Sequence, residues 1–289
     1  FGRPAAKATA QYNRGLKAAF PVNNASTSPP RLAVCPGDDL SREAATALAT
    51  QLQLPQLPMA TEPRRCDGFD ALLLVFVSGI ELQITGRKAP GPVGVDFGAA
   101  AMRHRRVAGH NELLGKAVGV GKKAALSVLD ATAGLGRDSF VLADLGAEVT
   151  CCERNPVAAA MLDSGLALAQ NSTDHWLATT SSRMQLVTDD ATRLTADFLR
   201  DIDVIYLDPM FPQREKSAAV KKEMALFQLL LKDEESSNER LLDWALACSV
   251  ARVVVKRPPK APPLGAKIPS HCIKGKAVRY DVHVLSGLS

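Results

Sequence analysis

From Leu126 onward, short apolar runs alternate with stretches of helical periodicity, and this alternation restricts the chain to a parallel sheet covered by helices on both faces. The runs are Leu126 to Leu129, Glu148 to Cys152, Met184 to Val187, Val204 to Leu207 and Val250 to Val255. Between them lie helical patterns over Asp138 to Leu145, Pro156 to Ala169 and Ser217 to Leu231. Runs without polar alternation are what strands buried on both faces require. The tail differs: Val278, Tyr280, Val282 and Val284 alternate, which predicts a closing antiparallel hairpin over Cys272 to Leu285.

The preceding segment has a different texture. Residues 31–100 read as a small N-terminal α+β subdomain, and residues 101–289 as the main domain. Arg31 to Cys35 predicts a strand ending at Pro36-Gly37. Ser41 is the expected N-cap of a helix through Gln53, with Ala45, Leu48 and Leu52 on one face. Ala71 to Val77 and Ile80 to Thr85 predict a hairpin turning at Ser78-Gly79, followed by a short strand over Pro92 to Phe97 and one or two helices from Ala99 to Val118. Residues 1–30 are rich in Ala, Asn, Ser and Pro with little periodicity, and read as a loosely packed tail.

Composition excludes several classes. No apolar run approaches the roughly 18 residues of a membrane span. The six cysteines form no C-x-x-C pair, so a metal site is not expected, and they read as reduced thiols of a cytoplasmic protein. His175, His271 and His283 suggest no catalytic pairing; His175 and Trp176 read as local packing or loop residues. The net charge of +5 is mild, but its distribution is not. Seven Lys or Arg and no acid lie between Lys256 and Tyr280, and six Lys or Arg with one acid between Met102 and Lys123. Such clusters fit a polyanionic partner as well as a solvated face.

Chemistry concentrates at the ends of the apolar runs. Asp130-Ala-Thr-Ala-Gly-Leu-Gly-Arg-Asp138 follows the first. Gly134 and Gly136 permit the tight turn and close ligand approach of a nucleotide-cofactor loop, and a helix beginning near Arg137 offers free N–H groups. Asp130 could hold a cofactor ammonium. Glu153, at the end of the next run, stands where dinucleotide folds read ribose hydroxyls, and Asp190-Ala191-Thr192 follows the third run within reach of an adenine. Ser139 stands where a nicotinamide-dependent dehydrogenase usually carries a third glycine, which weakens that reading.

Asp208-Pro-Met-Phe-Pro212 closes the fourth run. A carboxylate (Asp208) and a backbone carbonyl (Pro209) can accept both N–H bonds of a conjugated amino group and stabilise the positive charge that grows on it, while Phe211 can stack on a base. With the upstream loop, this implies methyl transfer from S-adenosylmethionine to an exocyclic amine. Arg103, Arg105, Arg106, Lys216, Lys221, Lys222, Lys256 and Arg257 are the candidate phosphate contacts.

The stretches Asp130–Asp138, Glu153-Arg-Asn-Pro156, Tyr206-Leu-Asp-Pro-Met-Phe-Pro212, Lys216-Ser217, Val220-Lys-Lys-Glu-Met224, Val253-Val-Val-Lys-Arg-Pro258 and Met102-Arg-His-Arg-Arg106 together resemble the ribosomal RNA small subunit methyltransferase J family, over roughly residues 90–285. The resemblance implies a Rossmann-like class I fold and S-adenosylmethionine as cofactor. It implies methylation of the N2 amine of a guanine in small-subunit (16S) ribosomal RNA, as RNA or within the 30S particle. It implies cofactor contacts at Arg137, Asp138, Glu153, Arg154 and Asp208. A further family contact, two small hydroxyl residues after the third strand, is replaced here by Thr188-Asp-Asp-Ala-Thr192, and falls at Asp190 to Thr192. From the residues alone, an amino-group methyltransferase acting on DNA adenine or a protein amide, or a non-catalytic RNA-binding assembly factor, remains an alternative.

Overall fold

The computed structural model describes residues 29–107, 112–209, 225–226, 229–230 and 235–288. Two sheets organise them. The larger has seven strands: β5 (Ser127–Asp130), β6 (Glu148–Cys152), β7 (Met184–Val187), β8 (Val204–Leu207), β9 (Arg252–Arg257), β10 (His271–Lys274) and β11 (Arg279–Val284). Their order is β10-β11-β9-β8-β5-β6-β7. The strands β7, β6, β5, β8 and β9 are mutually parallel, and β11 enters antiparallel between β9 and β10.

Side-chain alternation divides the buried residues of this sheet between two cores. Val128, Cys151, Val204, Tyr206 and Val254 face one, with Phe140 and Leu142 of helix α4 (Arg137–Asp144). Leu129, Cys152, Ile205, Leu207, Val253 and Val255 face the other, with Leu242 and Ala245 of the helix Glu235–Ala247. The adjacent cysteines thus point to opposite faces as a strand demands, and all six cysteines are free thiols. The chain runs outward through β5, β6 and β7 and then returns to β8 beside β5. That return is a topological switch point, which opens a crevice at the carboxyl ends of the strands.

The smaller sheet has the order β1-β2-β3-β4, from β1 (Leu32–Pro36), β2 (Ala71–Phe76), β3 (Gly79–Ile84) and β4 (Val93–Gly94). Its core includes Val34, Leu73 and Leu82, with Ala45 and Leu48 of α1 (Arg42–Leu52). Helix α5 (Pro156–Gln170) joins the two sheets: Val157 and Met161 lie in the small sheet's core, Leu162 and Leu166 in the large sheet's. A helix buried on both sides must be apolar nearly all round, as α5 is. Gly165 permits the approach, since a Cβ there would sit 2.3 Å from Val95 Cγ1. Other α-helices among the described residues are α2 (Ala100–Val107), α3 (Glu112–Val118), α6 (His175–Ser181) and α7 (Ala196–Leu199).

Local details differ from the sequence reading. Ser41 occupies the N-cap position of α1 without capping it. Asp38 instead accepts the Ser41 N–H at 2.8 Å, and the Ser41 hydroxyl donates to Val75 O across to the sheet. The hairpin turns one residue early, at Val77-Ser78, because Phe76 pairs with Gly79. Helix α6 carries His175 and Trp176, and Trp176 packs edge-on against Phe140 with 5.5 Å between centroids. The predicted helix over 217–231 lies largely outside the described residues.

Candidate active site

Four acidic positions line the carboxyl edge of the large sheet: Asp130 on β5, Glu153 after β6, Asp190 after β7 and Asp208 after β8. The glycine turn connects them. Gly134 and Gly136 adopt φ of 55° and 72°, in the left-handed region that a side chain disfavours. At Gly136 a Cβ would lie 2.5 Å from Leu162 Cδ1, so packing as well as conformation requires glycine there. The Gly134 N–H donates to Glu153 Oε2 at 2.8 Å, and Asn155 N–H donates to Oε1 at 2.7 Å. Glu153 therefore joins the ends of β5 and β6.

Asp130 is buried and acts within the turn. It accepts the Ser139 hydroxyl at 2.5 Å and the Thr132 N–H at 3.1 Å. Its side chain is 2% exposed. Burial pushes its carboxyl up to about 7, against the opposing hydrogen bonds from Ser139 and Thr132. Thr132, which the sequence did not single out, ties the two motifs together: its hydroxyl accepts the Asp208 N–H at 2.7 Å.

Asp138 and Asp208 share one cation. Lys256 Nζ lies 2.6 Å from Asp138 Oδ2 and 2.7 Å from Asp208 Oδ2. Asp138 also accepts the Tyr206 hydroxyl at 2.7 Å and pairs with Arg105 at 2.9 Å. Burial raises the Asp138 carboxyl, but Lys256 and Arg105 outweigh it and hold it well below the ordinary range. Burial and the nearby Asp138 charge raise Asp208, against the pull of Lys256. Burial lowers Lys256, and the two carboxylates more than reverse this, so it is a fixed cation. Burial puts the Tyr206 phenol far above its usual range, so it stays a neutral donor. Among the described residues Asp208 Oδ1 makes no hydrogen bond, which leaves that oxygen for an incoming donor.

The expected basic rim is rearranged. Arg105 and Lys256 are drawn into this carboxylate cluster, with side chains 28% and 24% exposed. Arg257 is 5% exposed, and its Nε and Nη2 donate to Pro262 O at 3.1 and 2.6 Å. Arg103 pairs with Asp174 at 2.6 Å and Arg106 with Asp144 at 3.2 Å, both guanidinium groups lying about 5 Å from the Trp176 ring centre. These two remain half-exposed at the sides of α2. Arg137 opens α4, and Arg154 donates to Ser237 at 3.4 Å. Asp190 caps a short 3-10 turn over Ala191–Arg193, accepting both the Thr192 N–H and hydroxyl. Ala191 is buried against the sheet. Pro209 is buried beside Asp208. Phe211, Lys216, Lys221 and Lys222 lie outside the described residues. No group of side chains among the described residues could hold a metal ion, and no described helix is long and apolar enough to cross a membrane.

A glycine turn feeding a helix, acids at the ends of four neighbouring strands and a switch point beside them fit a nucleoside cofactor with a polar tail. The comparisons agree. A family model described as "Putative SAM-dependent methyltransferase" matches residues 61–285. The chain is 49% identical to the ribosomal RNA small subunit methyltransferase J of Thioalkalivibrio sulfidiphilus, over 84% of this chain and 93% of that one. The protein of the same description from Ectopseudomonas mendocina is 46% identical over 83% and 89%. The crystal structure of a SAM-dependent methyltransferase from Neisseria gonorrhoeae superposes with a TM-score of 0.66 at 33% identity, covering 89% of this chain and 97% of that one. With its sheet order, its glycine turn and near-half identity along most of its length all in agreement, the chain belongs to the ribosomal RNA small subunit methyltransferase J family of S-adenosylmethionine-dependent methyltransferases.

Proposed function

We propose that this protein transfers a methyl group from S-adenosylmethionine to the exocyclic N2 amine of a guanine in small-subunit (16S) ribosomal RNA, in the cytoplasm. The observation that carries the reading is Asp208. Its backbone is fixed by Thr132 in the cofactor turn, one carboxylate oxygen is anchored on Lys256, and the other is open among the described residues. The bound cofactor supplies an electrophilic methyl on a sulfonium. The chain's own residues do the rest.

Asp208 and the Pro209 carbonyl accept the two N–H bonds of the amine and hold its lone pair in line for a direct displacement. Nitrogen gains positive charge as its bond to carbon forms, and the carboxylate opposes that charge in a partly water-excluded site. The raised carboxyl of Asp208 suits it to take the proton that the nitrogen then releases. Glu153 and the Asp190 turn hold the ribose and adenine sides of the cofactor, and Phe211 stacks on the base. No covalent enzyme intermediate is involved.

The deciding experiment is transfer of labelled methyl to small ribosomal subunits isolated without this modification, followed by nucleoside analysis. Label in N2-methylguanosine is the expected result. Label in another base or in protein would overturn the substrate, and absence of both label and calorimetric cofactor binding would overturn the whole reading.

A further inference from the structure

The basic stretch after β9 is built into a shaped surface. Register places it. β9 runs parallel to β8, so Lys256 and Arg257 emerge at the same edge as Asp208. β11 returns antiparallel with Arg279 opposite Arg257, and Lys274 of β10 lies opposite Arg279. The turn between β10 and β11, closed by Gly275 N–H to Val278 O at 2.8 Å, therefore projects from the catalytic edge. The proline-rich arch Pro258-Pro-Lys-Ala-Pro-Pro263 leaves from that edge too.

Two buried arginines hold arch and turn in place. Arg279 is 8% exposed and fixed by Asp281 at 2.6 Å, and its Nη1 donates to Pro259 O and Ala261 O at 3.2 and 2.8 Å. Arg257, its cross-strand partner, grips Pro262 O. Four prolines remove further backbone freedom. On this frame Lys260, Lys274 and Lys276 are exposed, and none makes an ion pair with a described carboxylate. No acid occurs from residue 258 to 280. A surface ordered before binding loses little entropy when a ligand arrives, and three exposed ammonium groups without acids suit a phosphate backbone.

We propose that the clasped arch and hairpin turn form the seat for RNA phosphates flanking the target guanine, with Lys260, Lys274 and Lys276 as the contacts. This rests on the reading of the substrate as ribosomal RNA. It moves the RNA rim outward from Lys256 and Arg257, which act beneath it.

The test compares wild type with the triple variant Lys260→Ala, Lys274→Ala, Lys276→Ala, and with Lys267→Ala as control, since Lys267 is already held by Asp243 at 3.0 Å. Binding to protein-free small-subunit ribosomal RNA is followed as a function of salt. The triple variant should lower the slope of log affinity against log salt by about 2 to 3, and raise the KM for small subunits about tenfold or more, with kcat and cofactor affinity unchanged. The control should change neither. An unchanged slope and KM overturns the proposal and leaves methylation standing. An effect on subunits with none on protein-free RNA also overturns it, because the surface then meets ribosomal protein. The binding arm needs no turnover, so failure of the methylation assay does not touch it.

Discussion

Lys256→Met tests whether one ammonium organises the catalytic edge. Methionine keeps most of the length and removes the charge. In the protein that charge sits 2.6 Å from Asp138 and 2.7 Å from Asp208, on a side chain 24% exposed. After the substitution Asp138 keeps Arg105 and the Tyr206 hydroxyl. Asp208 keeps no ion-pair partner among the described residues. Breaking a buried pair costs about 3–5 kcal/mol when a charge is left uncompensated. Arg105 and the 34% exposure of the Asp208 side chain reduce this, so the expected loss is about 2 kcal/mol near neutral pH.

The pH dependence gives the sign. The folded-state pKa of Asp138 is depressed, so its contribution is present above the unfolded carboxylate value of about 4 and is lost as pH falls below it. That of Lys256 is raised, so its contribution is complete throughout the neutral range and is lost only at strongly alkaline pH. The part of the stability gap between wild type and variant that Asp138 carries, read by urea unfolding, should therefore hold from neutrality down to about pH 4 and narrow only as pH falls below it. The Asp208 carboxyl, already raised, should rise further without its cation. The acid limb of the kcat profile then moves to higher pH, and kcat falls on the order of a hundredfold. Lys256→Arg should recover part of both. A gap that stays the same from pH 8 to well below pH 4, with an unmoved acid limb, would refute the electrostatic account and leave Lys256 a packing residue.

Asp208→Ala should lower kcat by about a thousandfold while calorimetry shows cofactor affinity largely intact; a large loss of affinity would make Asp208 mainly a cofactor contact. Asp130→Asn should flatten the pH dependence of stability. The wild-type carboxyl is raised to about 7 by burial, so the folded protein favours its protonated form, and stability falls by up to roughly 4 kcal/mol as pH rises from 4 to 7. Parallel wild-type and variant curves across that window would contradict this. Trp176→Ala removes the edge contact with Phe140, the 2.7 Å hydrogen bond to Asp144 and the ring beneath Arg103 and Arg106, at about 2–4 kcal/mol in urea unfolding. A loss under 1 kcal/mol would show that α2 and α6 dock without it.

Elements buried on both faces were legible because burial leaves unbroken apolar runs, as at Val204–Leu207 and Val253–Val255. Helix α6 was not, since His-Trp-Leu-Ala-Thr-Thr-Ser carries no stripe and is shaped by Trp176 reaching Asp144 and Phe140. Nor was the helix Glu235–Ala247, which opens on the polar Glu-Ser-Ser-Asn-Glu-Arg. The closing hairpin was read from alternation, but the entry of β11 between β9 and β10 depends on long-range pairing that periodicity does not carry.

The site divides along the same line. Asp130, Glu153, Asp190 and Asp208 could be placed because each follows a recognisable strand, and strand ends are where such sheets hold ligands. Their partners could not, because Asp138 and Lys256 are 118 residues apart and Asp138 and Tyr206 are 68 apart. Yet one available signal was strong enough to separate Lys256 from Arg257. Neighbours in a strand point to opposite faces. Lys256 shares its face with Val254, hence with Tyr206 and α4, where Asp138 stands; Arg257 shares its face with Val255, in the core reached by the helix Glu235–Ala247. Two adjacent cations at a strand end cannot both serve one rim. Once Tyr206, a hydroxyl in a fully buried run, is required to find a hydrogen-bond partner, the even-numbered face becomes the polar one. The acid that satisfies Tyr206 is then the acid that draws in Lys256, and Lys256 in turn anchors Asp208.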